Sequence, residues 1–426
     1  MQKSFAVFTF VLMLIFGLLW EGCSNPTAPN GEQVGDGGPN ALAQLQETIG
    51  KLQAKVSSKR ITDDGNWLTS DKYKGRNNST DASKLTQKEL IRLLKEMGLQ
   101  PVGGKFEHSF GGRAPGVNIL AELKGKDPKL AKEVVVIGGH YDHLGPRKDG
   151  KIYHGASDNA LGVAIVLELA RILTSGDFKP SRTVIFAFWD SEEDGLQGSN
   201  HALKDNHIPV KQVITYINVD IAGANLFKGG RDFHLVLGAE SGSAQLEAMV
   251  DRQIKRPLKD IEPLRLGIIF GQARSDYLAF INNDIPSLFF SDSTNIFYHT
   301  VHDTMANANL PKTIATAKLM LGVLLEVTES KDPPVWNEKR FKGNSLAAFG
   351  VNEAELKNLM VIGKRVMDNA SKIGLKAQEI EKLKTITKRM QSVIDSGKVE
   401  EEDPLPLLLE TVLPIMNMLI KYDPGK

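Results

Sequence analysis

The stretch EVVVIGGHYDHLG, residues Glu133–Gly145, decides the fold because it joins a buried strand to a cluster of ionisable side chains. Residues 134–137 form an unbroken apolar run, which is typical of a strand covered on both faces of a sheet. Two glycines follow, and residues 140–143 then read His-Tyr-Asp-His. Open α/β sheets place their sites at the carboxyl ends of strands, so this pattern indicates a site at the end of the strand.

Strand and helix patterns alternate through the central part of the chain. Strand-like apolar runs occupy residues 182–189, 212–219 and 285–290, and helix-like patterns occupy residues 159–173 and 195–205. The first of these helices is apolar nearly all round, which indicates that it is buried. Together these patterns predict an α/β fold with a mixed, mostly parallel twisted sheet and helices on both faces.

Amphipathic helices are predicted before the sheet. Apolar residues spaced 3-4-3-4 predict a helix over residues 41–56. The stretch LTQKELIRLLKEMGLQPVGG, residues 85–104, predicts a second helix that ends at Gly98 and has a proline beyond it. We assign residues 41–333 to one domain.

The character of the chain changes after this domain. Residues 354–373 and 377–398 read as charged helices, and residues 405–422 read as an apolar helical segment interrupted by Pro414. We therefore interpret residues 334–426 as a helical extension. Its last segment lacks the basic residues of a membrane-lying helix, which favours packing on a partner surface.

The N-terminus has the features of an export signal. Residues 5–20 are apolar, which is short for a membrane-spanning helix and typical of a signal-peptide core. Because a glycine and then Cys23 follow, residues 1–22 resemble a bacterial lipoprotein signal peptide, in which the cysteine is lipidated and becomes the mature N-terminus. Ser24 is not the aspartate that retains such proteins at the inner membrane, which favours the outer membrane.

The segment after the cysteine is rich in proline and glycine. Residues 23–40 are predicted to be a flexible tether that holds a folded domain beside the bacterial cell envelope, facing the periplasm or the surface. With a single cysteine, the chain cannot form an internal disulfide.

The charge balance argues against a nucleic-acid-binding protein. Lysine plus arginine number 52 and aspartate plus glutamate number 51, for a net charge of +1. Proteins that bind nucleic acid usually carry a basic excess or stripe. The sequence leaves the oligomeric state open.

Several predicted strands end in polar clusters that would meet in one crevice. Two histidines and several carboxylates offer nitrogen and oxygen ligands that suit zinc, and two metal ions need about this many groups. One glutamate of an adjacent pair can bind metal while its neighbour takes a proton. An aspartate two residues after a histidine can hold its second ring nitrogen. The clusters contain His140 and Asp142, Asp158, Glu192 and Glu193, Asp220, and His299 with Asp303.

Five motifs in this order resemble a known family. HYDH, GASDNALG, EEDGLQGS, NVDIAG and YHTVHDT are similar to the motifs of the co-catalytic zinc aminopeptidases, the group of bacterial leucyl aminopeptidases and glutamate carboxypeptidase-like zinc peptidases. The resemblance covers residues 67–330. It implies that residues 41–333 are a zinc peptidase catalytic domain with peptide substrates.

The resemblance also implies a role for each residue of these motifs. Glu192 is the general base for a water that bridges two zinc ions, and Asp142 orients His140. Asp158 binds both ions, and the peptide between Asp158 and Asn159 is cis. Tyr298 helps at the substrate oxygen. The implied zinc ligands are His140, Asp158, Glu193, Asp220 and His299.

The remaining histidines are expected to have different roles. His302 is an additional imidazole close to the implied ligand His299, and the sequence leaves open which of the two binds. His143 and His154 flank the site, and we interpret them as structural or supporting residues. No role is expected for His108, His201, His207 and His234.

The functional prediction is a metal-dependent aminopeptidase. Three alternative functions remain open beside it. A carboxypeptidase or dipeptidase would use the same motifs. A glutaminyl cyclase of the same fold would need one zinc, and a receptor-like binding protein would lack ligands or the base. Similar ligands also accept manganese or cobalt.

Overall fold

The computed structural model of the chain describes residues 38–227, 229–338 and 351–399. Cys23, the predicted signal peptide and most of the predicted tether therefore lie outside the described residues. The strands are β1 (Gln100–Pro101), β2 (Glu107–Phe110), β3 (Gly116–Leu123), β4 (Val134–His140), β5 (Thr183–Trp189), β6 (Val213–Val219), β7 (Phe233–Leu237), β8 (Glu262–Leu266) and β9 (Ser287–Ser291).

The helices lie before, between and after these strands in the chain. They are α1 (Gly38–Gln53), α2 (Ser58–Leu68), α3 (Asp81–Glu96), α4 (Leu161–Thr174), α5 (Gln197–Lys204), α6 (Ser243–Ile254), α7 (Tyr277–Ile281), α8 (Leu310–Glu329), α9 (Glu353–Asp368), α10 (Ala370–Ile373) and α11 (Ala377–Asp395).

The strands form one mixed sheet in the order β1-β3-β5-β4-β6-β9-β7-β8, with β2 also paired to β3. The central strands β5, β4, β6 and β9 are parallel, and antiparallel pairings join β3 to β5 and β7 to β9. The predicted mixed α/β sheet is confirmed. Its four parallel central strands bring their carboxyl ends to one edge.

Each face of the sheet has its own apolar core. In β4, Val135 and Ile137 belong to one core, whereas Val134 and Val136 belong to the other. Helices α1 to α4, α6 and α8 cover the first face, and α5, α7, α9 and α11 cover the second. Because β4 is buried on both faces, its sequence is continuously apolar rather than alternating.

The two glycines of β4 allow neighbouring strands to approach closely. A Cβ atom on Gly138 would lie 2.2 Å from the carbonyl oxygen of Ala187, and one on Gly139 would lie 2.5 Å from that of Val219. A side chain at either position would therefore push β5 or β6 away from β4.

Two predicted helix boundaries were wrong. Helix α1 begins at Gly38 and ends at Gln53, so it includes the end of the predicted tether. Helix α3 begins at Asp81 rather than at residue 85, because the hydroxyl of Thr80 accepts a hydrogen bond from the backbone N–H of Ser83. A side chain that caps the first turn fixes the start of the helix there.

The described part of the C-terminal extension is helical, as predicted, and it covers the edge of the sheet. Helix α9 packs on the edge strand β8, where the buried carboxylate of Glu355 lies 2.8 Å from the guanidinium of Arg265. The boundary at residue 334 stays a prediction, and residues 405–422 lie outside the described residues. Among the residues described, none of the helices is both long and apolar enough to span a membrane.

Candidate metal centre

The carboxyl ends of the parallel strands gather the predicted site residues. His140 is the last residue of β4, Glu192 and Glu193 follow β5, Asp220 follows β6, and His299 lies on the loop after β9. The strands are adjacent and parallel, so these side chains meet at one edge. The predicted crevice therefore exists in the structure.

One cluster lies around His140. Its Nε2 is 3.1 Å from Oδ1 of Asp220 and 3.3 Å from Oδ1 of Asp158. The three side chains are almost fully buried. His140 Nδ1 lies 3.2 Å from the backbone oxygen of Asp142, which turns Nε2 and its lone pair towards the two carboxylates.

A second cluster lies around His299. Its Nε2 is 2.9 Å from Oε2 of Glu193 and 3.1 Å from Oδ2 of Asp158. Asp158 therefore presents Oδ1 to the first cluster and Oδ2 to the second. A carboxylate shared in this way is the arrangement that a pair of metal ions requires.

The polar atoms of the second cluster fit a cation. Asp158 Oδ2 and His299 Nε2 are buried and have no hydrogen-bond partner among the described residues, although they lie 3.1 Å apart. Burial lowers the pKa of His299, but Asp158 and Glu193 outweigh that effect and raise it to about 10. The carboxylates therefore favour a positive charge at this point, and imidazole with carboxylate is a typical zinc donor set.

A broader distance criterion adds one residue to each cluster. Ligand atoms within 4.8 Å of one another group His140 and Asp220 with Glu192, and group Asp158 and Glu193 with His143. The distances to Asp158 separate these residues, because its Oδ2 lies 3.1 Å from His299 and 3.9 Å from His143, and its Oδ1 lies 3.3 Å from His140. Ligands of one zinc ion lie about 3.4 Å apart, so the separations of Asp158 from His140 and from His299 fit ligation.

Asp303 orients the loop that carries Asp158. Its carboxylate accepts hydrogen bonds from the backbone N–H and the hydroxyl of Ser157 at 2.9 and 2.8 Å, and from the N–H of Asp158 at 3.1 Å. The peptide between Asp158 and Asn159 is cis, as predicted. The Asn159 side chain donates to the carbonyl of Val219 at the end of β6.

Asp142 contacts both His140 and the backbone of the glutamate pair. Its carboxylate accepts the backbone N–H groups of Glu192 at 3.1 Å and Glu193 at 3.3 Å, and its Oδ1 lies 3.5 Å from His140 Nδ1. The closer contact to His140 is made by the Asp142 backbone oxygen. The carboxylate therefore positions the glutamate pair as well as the histidine.

The loops that carry the candidate ligands turn through left-handed residues. Ser191, Ile221 and His299 have φ angles of 57°, 60° and 55°. Such conformations cost non-glycine residues about 1–3 kcal/mol each and are concentrated at functional sites. Ile221 directly follows Asp220, and Ser191 directly precedes Glu192, so these turns direct both acidic side chains into the crevice.

The structure distinguishes the two neighbouring histidines. His299 lies in the second cluster, whereas His302 is exposed, and its ring is 6.4 Å from that of Phe297. The four histidines without an expected role lie elsewhere: His108 beside His207, His201 paired with Asp205, and His234 paired with Asp292.

Sequence reasoning missed Arg76, a fully buried residue behind the site. Its guanidinium donates hydrogen bonds to the backbone oxygens of Tyr141, Leu68, His154 and Gly155, at 2.8 to 3.0 Å. Burial lowers the pKa of Arg76 to about 10, which leaves it charged at neutral pH. Arg76 therefore joins the loop after β4 to the loop before Asp158.

Replacing this guanidinium should destabilise the protein. Arg76→Met leaves buried carbonyl oxygens without donors, each at a cost of about 1–3 kcal/mol, so we expect a loss of at least about 3 kcal/mol. The surface variant Arg92→Met removes a pair with Glu89 at 2.6 Å and should cost less than about 1 kcal/mol. Denaturant unfolding measures both, and equal losses would contradict the role of Arg76.

A cleft with about 580 Å³ of empty space, open solvent included, adjoins the clusters. Glu192 lies in its wall, and burial raises the pKa of this carboxyl well above its usual range. Tyr298 stacks on His299 with ring centroids 3.8 Å apart, and its hydroxyl accepts from Arg274 at 3.3 Å. Apolar side chains line one part of the cleft, namely Ile221, Leu235, Leu237, Phe270 and Phe289. Polar residues line another part, namely Gln272, Arg274, Ser291, Ser293 and Thr294.

The fold and the site define a class of protein. Two ligand clusters that share a carboxylate, with a further glutamate beside them, lie at the carboxyl edge of an α/β sheet and suit a metallohydrolase. The sequence model of peptidase family M28 matches residues 118–324, so this region of the chain is similar to that family. The chain is therefore a metal-dependent peptidase.

The chain is similar to curated relatives in sequence and to solved structures in fold. The probable leucine aminopeptidase of Arthroderma otae is 26% identical over 300 residues, which cover 67% of this chain and 76% of the relative. LapA aminopeptidase of Legionella pneumophila is 23% identical with a TM-score of 0.55, covering 66% of this chain and 75% of that chain. The structural likeness shows that both share a fold.

A glutaminyl cyclase has the same fold. The enzyme of Bacteroides thetaiotaomicron, bound to N-acetylhistamine, is 18% identical with a TM-score of 0.51, covering 64% of this chain and 98% of that chain. The fold alone therefore does not separate peptide hydrolysis from cyclisation.

Proposed function

We propose that the chain is a di-zinc aminopeptidase that releases apolar residues from the N-termini of peptides. The observation that carries the proposal is the position of Asp158, whose two carboxylate oxygens face separate clusters at 3.3 Å from His140 and 3.1 Å from His299. A site for a single ion would not need this shared carboxylate.

The chain's own residues divide between the two ions. His140, Asp158 and Asp220 would hold the first, and Asp158, Glu193 and His299 would hold the second. Zinc in such a site polarises the scissile carbonyl group and lowers the pKa of water.

Glu192 moves the proton. It lies beside the clusters in the cleft wall, and burial raises its pKa, so its carboxylate accepts a proton more readily than an exposed glutamate does. Glu192 takes a proton from the attacking water and gives it to the nitrogen of the departing amine. Tyr298 is in the same wall and donates its hydroxyl to the substrate carbonyl oxygen as charge develops there.

The acidic side of the cleft favours a free N-terminus. Glu192 lies in the wall and is outside the proposed ligand set, so its carboxylate is available to a free amino group of the substrate. The substrate side chain then enters the apolar part of the cleft, between residues such as Leu237 and Phe289. The names of the curated leucine aminopeptidases support the same preference.

The mode of cleavage is tested with three versions of one peptide. The full-length protein is incubated with Leu-Gly-Gly, its N-acetyl form and its C-terminal amide, with and without a chelator. Aminopeptidase action requires chelator-sensitive release of leucine from the free and amidated peptides, with the acetylated peptide intact. Cleavage of the acetylated peptide but not of the amide would indicate a carboxypeptidase.

The same assay separates a peptidase from a cyclase and from a binding protein. Loss of ammonia from an N-terminal glutamine peptide, with the chain intact, would indicate a glutaminyl cyclase. Zinc binding without turnover of any peptide would indicate a binding protein.

The apolar pocket gives a separate prediction. We expect kcat/KM for N-terminal leucine to exceed that for N-terminal aspartate by at least about 100-fold, because a carboxylate placed between Leu237 and Phe289 is costly to bury. Leu237→Ala should lower kcat/KM for leucine peptides about 10-fold and leave alanine peptides nearly unchanged, as measured by steady-state kinetics. An equal loss for both substrates would place the side chain elsewhere.

The N-terminal motif adds a location to the proposal. Lipid on Cys23 anchors the domain to the bacterial envelope, at the outer membrane, and this step rests on the sequence because Cys23 lies outside the described residues. Cys23→Ser should move the protein from the membrane fraction to the soluble fraction. A variant that stays in the membrane fraction would contradict lipid anchoring at this residue.

A further inference from the structure

His143 contacts a proposed metal ligand but occupies none of the proposed ligand positions. Its ring is fully buried, and its Nδ1 lies 2.6 Å from Oε1 of Glu193. The second oxygen of this carboxylate, Oε2, lies 2.9 Å from His299. Each oxygen of Glu193 therefore faces a different imidazole.

The surroundings of His143 fix its ring in place. Gly155 packs against it, and a Cβ atom on this glycine would lie 2.5 Å from His143 Cδ2. The ring of Tyr153 meets it edge-on with centroids 6.4 Å apart. The side chain of Asn77 donates to its backbone oxygen at 3.2 Å. Gly155 leaves room for the ring, and the contacts of Tyr153 and Asn77 restrict it further. Together these contacts hold Nδ1 in one direction.

The distances favour a hydrogen bond over ligation. A separation of 2.6 Å between Nδ1 and Oε1 is that of a short charge-assisted hydrogen bond, whereas two ligands of one zinc ion lie about 3.4 Å apart. His143 Nδ1 is 3.9 Å from Asp158 Oδ2, farther than His299 is from the same oxygen. His143 Nε2 has no hydrogen-bond partner among the described residues, so the ring makes its polar contact through Nδ1.

We propose that His143 is a positioning residue for the second metal ion. Its Nδ1–H donates to Oε1 of Glu193 and so leaves Oε2 to bind the ion, which makes Glu193 a ligand through one oxygen. The proposal rests on the proposed two-metal function and adds to it a residue outside the implied ligand set. Hydrogen bonds to a ligating carboxylate typically contribute 10- to 100-fold to metal affinity.

Two variants of similar size test whether the hydrogen-bond donor must be at the position of Nδ1. His143→Asn places an amide N–H where Nδ1 lies, and His143→Gln places one where Nε2 lies. We expect the Asn variant to retain two ions per chain and the Gln variant to bind the second ion 10- to 100-fold more weakly. Elemental analysis after dialysis against a zinc buffer measures this in the full-length protein.

The visible absorption spectrum of the cobalt-substituted protein reports the coordination of the bound ions. Cobalt-substituted wild type and the Asn variant should share one visible absorption spectrum, and the Gln variant should lose the component that the second ion contributes. His154→Ala is the matched control, because the Nδ1 of this nearby histidine bonds to the backbone oxygen of Thr69 at 2.7 Å and not to a proposed ligand. It should keep both ions.

The outcomes are distinct. Two ions and an unchanged spectrum in both His143 variants would overturn the positioning role alone. Loss of the second ion in both would overturn it as well, because the ring itself would then be a ligand. A wild type that binds fewer than two ions would overturn the proposed function, and this role with it. Retention of the first ion in the Gln variant shows that the protein has folded.

Discussion

Glu192→Gln should bind metal as the wild type does and lose about 100- to 10,000-fold in kcat. The amide has the shape of the carboxylate but cannot accept the proton of the attacking water, and a positioned base contributes about this factor. Glu192 is outside the proposed ligand set, so two ions should remain. Steady-state kinetics with a leucine peptide and elemental analysis of the same preparation measure both quantities.

A matched glutamine variant sharpens this test. Glu193→Gln changes the adjacent residue, whose Oε2 lies 2.9 Å from His299, and it should weaken binding of the second ion. If Glu192→Gln kept full turnover, the assignment of the base would be wrong. If it lost metal and Glu193→Gln did not, the roles of the two glutamates would be exchanged.

His299→Ala should lose one of two ions and almost all activity. This residue supplies the imidazole of the second cluster, next to Asp158 and Glu193, and removing it leaves that position with carboxylates alone. The first cluster keeps His140 and Asp220, so one ion should remain. Metal analysis and peptide hydrolysis check the two parts of this prediction.

His302→Ala is the control for this experiment. The residue is three positions further along the same loop and is exposed, so its loss should leave both ions and most activity in place. Loss of an ion from His302→Ala, with two retained in His299→Ala, would show that the ligand assignment is shifted along the motif.

The centre of the fold and the contents of the crevice were predictable from sequence. Continuous apolar runs identified β4 and α4 because elements buried on both faces tolerate few polar residues. Polar residues directly after such runs identified His140, Asp220 and the glutamate pair, since parallel strands share one carboxyl edge.

Some features could not be predicted because they depend on contacts between distant segments. Arg76 is one charged residue in a polar stretch, and its role depends on carbonyl groups from residues 68, 141, 154 and 155. His143 was expected only to flank the site as a structural or supporting residue, because nothing in its spacing from Glu193 predicts a contact. The start of α3 depended on a cap by Thr80, which lies outside the apolar pattern.

Anomalous X-ray scattering at the zinc edge, from crystals of the purified full-length protein, tests the central claim most directly. The account predicts two zinc peaks, one bounded by His140 and Asp220 and the second by Glu193 and His299, with Asp158 between them. A single peak, or a pair that does not share Asp158, would contradict it.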